Sequence, residues 1–66
     1  MKQLAYYKDV RFWVYIPADS LAMFIHPTTG KTEMRGMFTA SSASRWFNEC
    51  LAECGLTKAD LHIVDE

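Results

Sequence analysis

Glycine is scarce, with three in 66 residues. That leaves no glycine-rich loop to cradle a phosphate or to shape an anion hole for acyl transfer. Cysteine is scarcer, with Cys50 and Cys54 alone, so a disulfide framework is excluded. Neither sign of charge dominates: the net charge is −1, and the electrostatic footprint of a general nucleic-acid binder is missing from the total. No apolar run approaches the ~18 residues of a membrane span. Lys8, Asp9 and Arg11 interrupt the N-terminal apolar run that a signal peptide would need. The expectation is a soluble, cytoplasmic protein without membrane contact.

What the chain does have is core material. Half of its residues are hydrophobic and 14% are aromatic, which excludes a disordered chain. Residues 1–66 make a single domain. A domain of this size buries only ~60% of the surface its unfolded chain exposes, so its stability margin is thin and a second copy or a partner would help it. Charge is mildly uneven. Residues 1–35 carry Lys2, Lys8, Arg11, Lys31 and Arg35 against Asp9, Asp19 and Glu33, a net +2; the remainder carries a net −3.

The pattern predicts an α+β fold, a small antiparallel sheet packed on one amphipathic helix in the order β-β-β-α-β. Val10–Ile16 alternates as a strand, with Val10, Phe12, Val14 and Ile16 on one face and Arg11, Trp13 and Tyr15 on the other. Leu4–Tyr7 either extends this strand or forms a short one of its own. Pro17–Ser20 reads as a turn, and Leu21–His26 as a second apolar strand. Pro27–Lys31 reads as a hairpin loop with Gly30 at positive φ, and Thr32–Phe38 as the next strand, with Gly36 marking a bulge or close approach. Ala43, Trp46, Phe47, Cys50, Leu51 and Cys54 recur at helical spacing, which predicts a helix over 42–54. Ser41 or Ser42 would cap its start; Gly55 and Leu56 would close its end. Leu61–Val64 is a short last strand.

Each chemical motif has a structural explanation at hand. Gly30-Lys31-Thr32 resembles the end of a phosphate loop, but Ile25 stands where the loop needs glycine and a strand follows. Cys50, Cys54, His26 and His62 are a ligand set that zinc would accept. Both cysteines lie in the helix's apolar stripe, however, and neither histidine has a paired neighbour, so no metal and no cofactor is expected. Four residues apart on a helix, the cysteines stand too far apart for an undistorted disulfide; buried free thiols and a reducing compartment follow. Ser41, Ser42 and Ser44 serve the helix start, and no spacing brings a base to a nucleophile. A non-enzyme is the expectation.

One helix covers one face of a small sheet, and the first long strand is apolar on both. On the alternation above, Arg11, Trp13 and Tyr15 are left outside, joined by Phe24 and His26 or by Arg35 and Met37 from neighbouring strands. Such a patch exceeds what a monomer usually leaves wet, and its residue types are those enriched in interfaces. Glu49 and Glu53, four apart on the helix's solvent side, read as a solvated face or, with Asp60, Asp65 and Glu66, as an acidic patch that makes a secondary contact with a basic partner surface. The expected function is a protein-interaction module, most simply a homodimer, with Trp13 and Tyr15 as anchors. Chains of this size without an enzyme motif often act as inhibitors or adaptors, many from phages and mobile elements. The alternative is nucleic-acid binding through the same face, with aromatic rings stacking on bases and Arg11, Lys31 and Arg35 following phosphates.

Overall fold

The computed structural model describes residues 2–36 and 39–66. Five strands and one helix follow in the order β1 (Gln3–Tyr7), β2 (Val10–Ile16), β3 (Leu21–Ile25), β4 (Thr32–Gly36), α1 (Ala40–Cys54) and β5 (His62–Asp65). The sheet order is β4-β3-β2-β1-β5 and every pairing is antiparallel. The fold class is therefore the expected α+β architecture, a small sheet backed by one helix. Gln3–Tyr7 forms a strand of its own, joined to β2 by a two-residue hairpin turn in which Lys8 and Asp9 both take positive φ, 49° and 68°. That conformation matches the twist of the flanking strands. β2 has the predicted bounds. β3 ends one residue early, and β5 is displaced by one residue toward the C-terminus. The expected end of β4 at Phe38 lies outside the described residues.

Local chemistry accounts for the remaining boundaries. Ser20, at φ 49°, closes a single 3-10 turn over Pro17–Asp19. In the β3–β4 loop, Gly30 takes φ 76°, and the N–H groups of Thr28 and Thr29 donate to His26 Nδ1 at 3.2 and 3.3 Å. Gly36 has room to spare: a Cβ there would come no closer than 3.8 Å to the Ser20 carbonyl oxygen, so no close approach explains it. Helix α1 starts two residues earlier than predicted. Thr39 caps it, its side chain accepting from the Ser42 N–H at 3.0 Å, so Ser42 is the capped residue and not the cap. At the far end Gly55 takes φ 67°, and the Leu56 N–H returns to the Leu51 carbonyl at 2.9 Å, as the Gly-Leu pair implied.

The core lies between α1 and one face of the sheet. Ala43, Trp46, Phe47, Cys50 and Leu51 of the helix meet Ala5, Phe12, Trp13, Ala22 and Phe24 of the strands. Aromatic edges hold it together: Phe12 stands 5.2 Å from Phe24, and Trp13 stands 5.2 Å from Trp46 and 5.0 Å from Phe47. Such pairs add about 0.5–1.5 kcal/mol each beyond the area they bury. The rim is closed by Arg35, whose guanidinium is 4.5 Å from the Trp46 ring centroid and 2.7 Å from Glu33 Oε2.

Candidate interaction surface

Which side chains lie outside depends on one irregularity. β1 and β2 pair Leu4 with Val14 and Ala5 with Trp13, but Tyr6 then pairs with Arg11. Phe12 is the extra residue, a bulge that sets Phe12 and Trp13 together against Ala5. Both side chains therefore enter the helix side, where both are fully buried. Beyond the bulge the alternation is inverted, so Tyr15 also lies on the helix side while Val14 and Ile16 lie on the outer side.

This corrects the expected site. Trp13 at 0% and Phe24 at 5% exposure are core residues, not anchors for a partner, and Tyr15 is half-buried against the same core. Arg35 lies on the helix side, engaged with Glu33 and Trp46. Met37 is outside the described residues. Arg11 is exposed, and its pairing with Tyr6 keeps it on the outer face. Glu49 and Glu53 are exposed on the helix, on the far side of the molecule from that face.

The outer face is built from other residues. The pairings Met34–Met23, Met23–Val14, Val14–Leu4 and Leu4–Val64 place five apolar side chains in one row across all five strands. Ile16 and Leu21 pair in the next row on one side; Ile25 and Tyr6 follow on the other. None of these belongs to the core cluster beneath the helix. Leu4 and Val14, in the middle of the row, are 7% exposed each, whereas Met34 on the edge strand is 59% exposed. Among the described residues charge sits at the margin of this face, with Arg11 at one end and Lys2 with Glu66 at the other, the last two 3.9 Å apart. The surface is apolar across its width and nearly neutral.

These residues escaped the sequence reading because a single bulge exchanges the two faces of everything after it. A signal was present in the small residues. Ala5 is paired directly with Trp13 and Ala22 with Tyr15. Alanine at the middle of a strand marks the side on which large neighbouring rings need space.

The residues weighed for chemistry are dispersed. Among the described residues no three of His, Cys, Asp and Glu gather into a group able to hold a metal ion. His26 is occupied by its loop, and His62 is exposed on β5. Both cysteines are free. Burial pushes the Cys50 thiol up to about 12, with Glu53 adding to the rise and Arg35 opposing it. Burial, and then Glu53, also raises Cys54. A nucleophilic thiol needs the opposite shift. Among the described residues no helix is long and apolar enough to cross a membrane. Comparison with protein-family models, curated proteins and solved structures finds no match for this chain.

Proposed function

We propose that this chain is a small non-enzymatic protein-interaction module that self-associates through the uncovered face of its sheet. The observation that carries the reading is the row Met34, Met23, Val14, Leu4 and Val64, apolar on every strand and outside the core cluster that the helix covers. A second copy is the occupant the surface fits best. Lys2 and Glu66 answer one another, so little charge is left to select a partner of opposite sign, and the best complement to a nearly neutral apolar sheet face is another one. Two such sheets pack about 10 Å apart. In that arrangement the two helices face outward, and their exposed Glu49 and Glu53 remain free to meet another protein, as an inhibitor or adaptor would.

The area sets the strength. Five strands at ~4.8 Å spacing and five residues at ~3.4 Å rise give a footprint of about 20 by 17 Å, or roughly 350 Å² per copy. A standard interface covers ~800 Å² per partner. The dimer is accordingly weak, with Kd in the micromolar range or above. Nucleic-acid binding gains nothing from this geometry. Stacking needs several rings on one surface, and Tyr6 is the one aromatic side chain on the outer face among the described residues.

Light scattering of the wild-type chain across a concentration series tests the reading. The molar mass should climb from one copy toward two, and Met34→Lys, at an exposed edge position, should hold it at one copy with the fold intact. A wild-type mass that stays at one copy to millimolar concentration would overturn the proposal, as would a substituted chain that dimerises unchanged.

A further inference from the structure

β4 is an edge strand, and among the described residues no backbone group pairs with its free side. The ladder fixes which groups that side presents. The His26 N–H donates to the Lys31 carbonyl at 2.8 Å, so His26–Lys31 is a hydrogen-bonded pair. Bonded and non-bonded pairs alternate along an antiparallel ladder. Glu33 and Arg35 therefore bond to Phe24 and Ala22, while the N–H and C=O groups of Thr32, Met34 and Gly36 point away from β3. Natural edges are blunted by proline, by a bulge or by unanswered charge. β4 contains no proline and its pairing with β3 runs without a register shift. Its two charges, Glu33 and Arg35, are of opposite sign, 2.7 Å apart and nearly half exposed.

We propose that β4 pairs antiparallel with β4 of a second copy, about a two-fold axis through Met34. Charge selects that register. Centred on Met34, Glu33 of each copy faces Arg35 of the other, and opposite charges directly across a ladder are stabilising. Centred on Glu33 or on Arg35, like charges meet instead. In the Met34 register Thr32–Gly36 and Met34–Met34 become the bonded pairs, with about six backbone hydrogen bonds in all. The charged pairs then fall at non-bonded positions, where side chains stand closer. The other edge of the sheet has no such centre: turning β5 about Ile63 or Val64 sets Val64 against His62 or Ile63 against Asp65. The edge contact stands apart from the face-to-face contact proposed above, and it enlarges the surface available to it. An axis perpendicular to the sheet keeps both outer faces on one side. The joined pair offers about 700 Å² of apolar surface, near the ~800 Å² of a standard interface.

Nuclear magnetic resonance on an equal mixture of isotope-labelled and unlabelled chains at millimolar concentration tests the pairing. Wild type should show an intermolecular contact between Hα of Glu33 in one copy and Hα of Arg35 in the other. The Thr32, Met34 and Gly36 amides should exchange about 3-fold more slowly there than at about 20-fold lower concentration. Glu33→Arg and Arg35→Glu should each lose both signals alone, because like charges then meet, and an equal mixture of the two variants should restore them. Thr32→Pro removes an N–H that the sheet does not use, and should lose both signals with its far-UV circular dichroism unchanged. Absence of the Hα contact in wild type would overturn the proposal. So would a mixture of the charge variants no better than either alone, or both signals persisting in folded Thr32→Pro. Where Arg35→Glu loses its fold along with the Trp46 contact, Thr32→Pro decides. Methyl contacts across the outer face report on the face-to-face reading, so each of the two contacts can fail while the other stands.

Discussion

Truncating Trp13 to alanine removes the largest fully buried side chain, and the cost can be worked from its surroundings. An indole that buries ~150–250 Å² contributes about 4–6 kcal/mol at ~25 cal/mol per Å². The edge contacts with Trp46 at 5.2 Å and Phe47 at 5.0 Å are lost as well. One effect opposes this. Trp13 Nε1 is buried with no hydrogen-bond partner, and deleting it relieves a penalty of about 1–3 kcal/mol. The net loss falls at about 5 kcal/mol, at the upper end of the range for large aromatic truncations in cores. A 66-residue domain has about 3–10 kcal/mol in total, so Trp13→Ala leaves the fold at or near its limit. Urea denaturation followed by far-UV circular dichroism measures this. Met34→Ala on the same chain should stay within about 0.5 kcal/mol of wild type. A loss under ~1 kcal/mol for Trp13→Ala would refute the bulge-driven placement of that side chain in the core.

Other consequences are as specific. Cys50, with its thiol raised to about 12, should resist an aromatic disulfide reagent at pH 8 in the folded chain, while half-buried Cys54 reacts slowly and urea releases both. The same shift has a sign for stability: the folded state keeps its Cys50 proton above pH 9 while the unfolded state loses it, so this group's contribution is constant below about 9 and declines as pH rises toward 12. A urea midpoint rising between pH 9 and 11 in wild type relative to Cys50→Ala would contradict this. Asp9→Gly should stabilise by about 0.5 kcal/mol, because φ 68° suits glycine better than any L residue, while Asp9→Val should cost about 1 kcal/mol or more. Thr39→Ala should cost about 1 kcal/mol through loss of the helix cap, and Ser41→Ala close to nothing; equal losses would return the cap to the serines.

Legibility in the sequence followed the range over which each rule acts. The stripe from Ala43 to Leu51, the Gly55 closure and the Gly30 loop depend on neighbours within four residues, and each is found where the spacing puts it. The imbalance between the sheet faces is not where the alternation put it: Trp13, Tyr15 and Phe24, expected outside, lie on the helix side. The bulge at Phe12 depends on how β2 meets β1 across a hairpin, which alternation along one strand does not record. It moved Trp13 and Tyr15 inward and Val14 and Ile16 outward. Phe24 was misplaced with them, because its face is fixed by its pairing with Trp13. Thr39 was passed over in favour of Ser41 and Ser42, since all three can cap and only the backbone geometry chooses among them.

The central claim is that the sheet face opposite α1 becomes covered by the same face of another copy. Isotope-filtered nuclear Overhauser spectroscopy on an equal mixture of labelled and unlabelled chains, at concentrations where two copies associate, addresses it directly. The account predicts intermolecular contacts among the methyl groups of Met23, Met34, Val14 and Leu4, and none to Ala43 or Leu51 beneath the helix. A spectrum with no intermolecular contacts to those four residues, or with contacts only from the helix surface around Glu49 and Glu53, would contradict it.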